Sequence, residues 1–317
     1  MNGVTSHHLN RRFNRKTVFL LVVALLTLYI VVPRIGSFKD SLNTLRSADT
    51  AYILLGVGLW LATYFVATLV YKIISPRSLP YLPTLLVQVA SGFTNRIVPA
   101  GTGAMAVNMK YLVTQGLSSI NAGAIVALNN LLGFVGNMVL LILVLILDSA
   151  PLNIAYEYHV SPYVGALIII LVITVLGGLI FASRNRSKLG RILTKAVRVL
   201  KSIFRRPERL LFAWLMSMSV TTLYGVSLFA IGLAFNVHLT IVQTLVVLTA
   251  GVVAATITPT PGGLGGAEAG LVAVLVSVGI TPQQALTVAL TYRFITYWLP
   301  IVPGFICFQL ALKKRYI

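Results

Sequence analysis

Of the six aspartates and glutamates in this chain, five (Asp40, Asp49, Asp148, Glu157 and Glu208) fall in connections or at helix ends. The sixth, Glu268, falls inside an apolar segment. A lone carboxylate among apolar residues at membrane depth is expensive unless paired, so it reads first as a functional site. Arg293, in the next apolar run, is the only Lys or Arg between Arg209 and Lys313. Each charge would strongly favour having the other nearby. Two chemistries follow: the pair braces two helices, or it faces a cavity that receives a polar group.

The stretch carrying Glu268, residues 258–270, reads TPTPGGLGGAEAG. Pro259 and Pro261 stop a helix arriving from the N-terminal side, because proline lacks the amide donor and clashes with the preceding turn. Gly262 and Gly263 allow a tight turn, and a second helix is expected to start near Leu264. Irregular backbone at membrane depth is tolerated only where protein or a water-filled cavity surrounds it. Gly262, Gly266 and Gly270 recur every four residues, which predicts a small-residue face for close helix packing. Glu268 then projects roughly opposite that face.

Composition places these residues in a membrane. The chain has 317 residues, 57% apolar and 10% charged, with mean hydropathy +0.91, which implies an all-α polytopic membrane protein. The net charge of +19 would suit nucleic acid. The cations instead cluster in short connections beside apolar runs, as cytoplasmic loops do at anionic headgroups. Cys307 is the one cysteine, which excludes an internal disulfide, and His7, His8, His159 and His238 have no metal-ligand spacing. Glu268 is the only in-membrane acid or base on offer, and without a nucleophile or metal cluster beside it an enzyme is not expected. No cofactor is implied.

The elements that must position the pair follow from the apolar runs. Residues 1–16 form a polar tail ending in a basic cluster, which predicts a cytoplasmic N-terminus. A first membrane repeat spans 17–147: an apolar run at 17–32, an interfacial helix at 34–49, a span at 52–71, a broken pair and a long closing helix at 120–147. A signal peptide competes for 17–32, but no small-x-small cleavage site follows. Residues 148–161 carry no Lys or Arg and are expected outside. The second membrane repeat, 162–312, contains a loop at 184–209 with ten basic residues, predicted to be cytoplasmic and to lie as an amphipathic helix on anionic lipid. The tail at 313–317 is basic and cytoplasmic.

The repeat is read from punctuation. Aligning Pro99 with Pro261 lays Pro99, Gly101 and Gly103 on the second broken stretch, with Asn95 and Arg96 just before them. Gly116 then meets Gly279, and Asn130 falls opposite Arg293. Each half holds three full spans plus a broken or re-entrant helix pair, an odd number of crossings, so the second half must be inverted. Inverted repeats with broken helices meeting near the midplane are a recurring transporter arrangement.

The motif TPTPGGLGGAEAG, with Gly279-Ile and LTYRFITYWLP at 290–300, resembles the lysylphosphatidylglycerol synthase membrane-region family, also called flippase-like domain proteins. The resemblance covers nearly the whole chain. It carries Pro261, Gly262, Gly263, Glu268 and Arg293 onto the family's second-half motif. In the first half, Ala104, Val107 and Asn108 stand where members often have an acidic and then a basic residue. Fused members place this region before a lipid-aminoacylating domain and are credited with moving the modified lipid between leaflets. With the chain ending at Ile317, the resemblance implies a stand-alone membrane module in the plasma membrane, with a separate synthase or glycosyltransferase as a partner.

The expected function is translocation of a phospholipid or modified phospholipid. Its headgroup would enter a midplane cavity lined by Glu268, Arg293, Arg96, Asn95 and Asn130. A transporter of polyprenyl-phosphate or lipid-linked sugar fits the same residues, and so does a lipid-binding subunit that transports nothing.

Overall fold

Proline, glycine or a capping side chain marks the breaks between helices that lie wholly among the described residues. The computed structural model describes residues 48–98, 102–147 and 207–317, all within the compact unit Thr44–Ile317. The expected elements at 17–32 and 34–49, the loop at 148–161, the span from 162 and the basic loop up to residue 206 lie outside the described residues.

Helix α1 is Thr50–Ile74, capped by Asp49, whose carboxylate accepts from Ala51 N–H at 2.9 Å. It stops at Ser75, held extended by the proline that follows. Helix α2 is Tyr81–Ile97, α3 is Thr102–Thr114 and α4 is Ser119–Leu147. The second half opens with α5, Pro207–Ala234, then α6, Ile241–Ile257, started by a reciprocal Thr240–Gln243 capping box. A 3₁₀ turn at Pro261–Gly263 leads into α7, Gly266–Ser277. Helix α8, Pro282–Arg293, runs through a π turn at Phe294–Trp298 into α9, Ile301–Lys313. The described residues are all helix and connections.

Among the described residues, four helices are long and apolar enough to cross a membrane: α1, α4, α5 and the continuous 282–313 unit. Helices α3 and α7, with 13 and 12 residues, reach only about 18–20 Å at 1.5 Å per residue. The hydrocarbon core is about 30 Å thick, so neither crosses alone. Each folds back on the helix before it. In α2–α3, Thr84 Oγ1 lies 2.8 Å from the Tyr111 hydroxyl and Gln88 donates to Asn108 at 2.7 Å. In α6–α7, Gly266 and Gly270 sit against the backbone of Ala254 and Ala250. Both are antiparallel hairpins.

The most extensive helix contact among the described residues joins α1 to α5. The Ser227 hydroxyl donates to the Gly56 carbonyl at 2.8 Å, and Asp49 N–H donates to the Ala234 carbonyl at 3.0 Å. The start of α1 therefore lies at the end of α5, and the two helices run antiparallel. Gly56 brings their backbones together, since a β-carbon there would press on Ile231 and the Ser227 carbonyl. One buried cluster gathers Trp60, Leu228, Ile231, Leu271, Leu275 and Val288, and a second gathers Val87, Tyr111, Leu112, Ile125 and Leu128.

Candidate functional site

Helix α6 ends because Thr258 is held extended (φ −87°, ψ 119°) before Pro259. The chain then needs left-handed backbone, and Gly262 supplies it at φ +59°. No side chain would fit there either, because the Tyr297 ring lies against that α-carbon. Helix α7 restarts with Glu268 in its first turn. The carboxylate reaches back, Oε2 accepting from Gly265 N–H at 2.7 Å, which satisfies one of the helix's open amides. Its other oxygen, Oε1, accepts from Arg293 Nε at 2.9 Å, with the two side chains only 8% and 13% exposed. Arg293 also donates through Nη2 to the Gly262 carbonyl at 3.2 Å. Its guanidinium lies over the Tyr297 ring, 4.7 Å from the centroid.

The first half contributes Arg96 from the last turn of α2. Its Nη1 donates to the Gly92 carbonyl and its Nη2 to the Thr296 carbonyl. The second bond has a cause in the sequence. Pro300, four residues after Thr296, has no amide to give that carbonyl, and Arg96 supplies the donor across the interface between the halves. The Tyr297 hydroxyl lies 3.2 Å from both the Arg96 and the Pro261 carbonyls, touching both broken stretches. Farther back, Gln88 donates to Asn108, whose own amide donates to Ala104 O at 2.9 Å.

These groups surround a cavity of about 250 Å³. Its wall takes Tyr64 from α1, Gln88, Asn95 and Arg96 from α2, Tyr224 from α5, Gly262 from the turn, and Arg293 and Tyr297 from the closing unit. Of the residues singled out in the sequence, Arg96, Asn95 and Arg293 meet at this wall, and Glu268 stands behind Arg293. Asn130 does not reach it. Ile125, Leu128 and Leu132 are the buried face of α4, and Asn130 sits on the opposite, exposed face. Pro259 is exposed on the turn, Gly263 packs on Ala255, and Pro99 and Gly101 lie outside the described residues. Gly103 sits tightly against Thr94 at the start of α3.

The glycine face needs one correction. Gly266 and Gly270 do line the contact of α7 with α6, but Gly262 belongs to the turn, where helical spacing no longer applies, and faces Tyr297 instead. The restart falls at Gly266, two residues after Leu264 and near the expected place. Tyr64 and Gln88 went unnoticed in the sequence, and Thr296 and Tyr297 stood there only as part of the motif at 290–300, with no role assigned. Tyr297 was findable, since it lies four residues after Arg293 and so on the same side of a helix.

A helical membrane protein with two hairpins, a buried ion pair and a polar cavity between the halves defines the class. The family model described as lysylphosphatidylglycerol synthase TM region matches residues 17–304, and the chain belongs to that family. No curated protein matches the chain at a significant level.

Proposed function

We propose that this multi-pass membrane protein translocates a phospholipid or modified phospholipid between leaflets, without catalysing a covalent step. The observation that carries this reading is the polar cavity of about 250 Å³ walled by both broken stretches inside an otherwise apolar bundle. That volume suits a headgroup, with the acyl chains left in the bilayer. The antiparallel pairing of α1 with α5, the opening helices of the described halves, supports an inverted repeat. Matching lengths support it too: α2 and α6 both have 17 residues, and α3 and α7 have 13 and 12. In this reading both termini and residues 184–209 face the cytoplasm of a plasma membrane, and 148–161 face outward.

The test is leaflet exchange of fluorescent phospholipids by purified protein in liposomes, wild type beside Glu268→Gln. Exchange by the wild type and its loss in the variant is the expected outcome. A wild type no faster than empty liposomes removes the reading.

A further inference from the structure

We propose that the headgroup this cavity takes is anionic and phosphate-bearing, and that Arg96 is its seat. The inference rests on the cavity being a headgroup site. Two guanidiniums reach the cavity, and they differ in how they are neutralised. Arg293 is matched by Glu268 at 2.9 Å in a pair that is almost wholly enclosed. Arg96 has no carboxylate partner among the described residues. Its Nη1 and Nη2 rest on two neutral carbonyls, Gly92 and Thr296. Those carbonyls orient the guanidinium but leave its charge uncompensated. Its Nε is buried and makes no hydrogen bond. Arg96 is half-buried and lines the cavity, and a partly desolvated cation without a counterion is costly on its own and becomes favourable when an anion neutralises it.

The surroundings of Arg96 fit a phosphate rather than a second cation. The Tyr64 hydroxyl stands beside the guanidinium, and Asn95 and Gln88 line the same wall. These are neutral groups, able to donate to phosphate oxygens without cancelling the charge. A positively charged headgroup would need a free carboxylate. The one at hand, Glu268, is engaged by Gly265 N–H on one oxygen and by Arg293 on the other. The cavity thus carries about one net positive charge, and charge alone selects against cationic headgroups. Arginine suits this role because its fork of donors matches phosphate oxygens.

Binding to the purified full-length chain in a neutral detergent tests the proposal. The probes are dioctanoyl phosphatidylglycerol, uncharged dioctanoylglycerol, dioctanoyl lysylphosphatidylglycerol and inorganic phosphate. The anionic lipid is expected to bind at least about tenfold more tightly than the uncharged and cationic ones. Arg96→Gln should weaken it about 10- to 100-fold, as removal of a charge-assisted hydrogen bond does, and Arg96→Lys should lose less than Arg96→Gln, because it keeps the charge but not the fork of donors. The wild-type ranking stands even where a variant fails to fold. Equal binding of phosphatidylglycerol and dioctanoylglycerol, or an affinity unchanged in a folded Arg96→Gln, overturns the proposal. Inorganic phosphate binding as tightly as the lipid keeps the seat but assigns it to a soluble phosphate. Anionic lipid that binds and is never exchanged between leaflets removes the translocation reading and keeps the seat. Exchange of phosphatidylcholine at equal rates in wild type and Arg96→Gln, without anion preference, removes the seat and keeps translocation.

Discussion

Helices α3 and α7 end alike. In the first, Gly116 N–H returns to Val113 O and Leu117 N–H to Leu112 O. In the second, Gly279 N–H returns to Val276 O and Ile280 N–H to Leu275 O. Both are Schellman closures through a left-handed glycine, at φ +86° and +94°. The closing helices then start alike, with the Ser118 hydroxyl accepting from Asn121 N–H and the Thr281 hydroxyl from Gln284 N–H. What the hairpins enclose is different. The second half holds a carboxylate and a guanidinium that neutralise each other, whereas the first holds a neutral Gln88–Asn108 pair and an uncompensated Arg96. Backbone punctuation is shared by the halves while charge is not, so the fold rests on the first, and the headgroup selectivity we propose would rest on the second.

The strongest way to break this comparison is to remove one member of the charged pair. Arg293→Met leaves the Glu268 carboxylate buried beside a single amide donor, and loss of about 3–5 kcal/mol is expected for breaking such a pair. Glu268→Gln should cost less, because the amide oxygen still accepts from Gly265 N–H. The double variant Glu268→Gln/Arg293→Met should recover more than half of the Arg293→Met loss in thermal unfolding, yet stay inactive in leaflet exchange. Arg96→Met should lower the melting temperature less than Arg293→Met, since no carboxylate loses a partner. A double variant with wild-type exchange would leave the pair purely structural.

The neutral pair in the first half should respond on a smaller scale. Gln88 and Asn108 are both buried and joined at 2.7 Å. Asn108→Leu leaves the Gln88 amide without its partner and is expected to cost about 1–3 kcal/mol. Replacing both by leucine should be nearer neutral, because no orphaned polar group remains. Thermal unfolding of the two singles and the double checks this, and a double that costs the sum of the singles would mean each residue is held by something else.

How much of this was legible in the sequence depends on how local the cause is. Pro259, Pro261, Gly116 and Gly279 act on their own backbone, so the breaks could be read directly, whereas the folding back of each broken pair as a hairpin was one of two arrangements the sequence left open. Glu268 and Arg293 were legible because a charge in an apolar run has few alternatives. The position of Asn130 was not, since alignment placed it opposite Arg293 while the face it occupies is set by how α4 packs Ile125, Leu128 and Leu132. The turn glycine at 262 was misread because a four-residue spacing carries meaning only inside a helix. Arg96 was named in the sequence, but its bond reaches Thr296, 200 residues away along the chain, and depends on the halves meeting there.

The smallest expected effect separates the two glycine closures. At Gly279 an added β-carbon meets no atom within 4 Å, so only the left-handed backbone resists it. Gly279→Ala should cost about 1 kcal/mol, the usual penalty for a side chain in that region. At Gly116 the same β-carbon would press on the Arg77 guanidinium, whose Nη1 donates to the Gln115 carbonyl at 3.2 Å. Gly116→Ala should therefore cost the same backbone penalty plus a few tenths to about 1 kcal/mol for moving that arginine. The surplus belongs to Arg77 and not to the turn, because both closures use the same pair of hydrogen bonds. In an Arg77→Ala background the surplus should vanish and the two alanine variants should melt with equal losses. If Gly116→Ala remains costlier there, the resemblance of the two closures does not extend to their energetics, and the first-half turn carries strain that the second lacks.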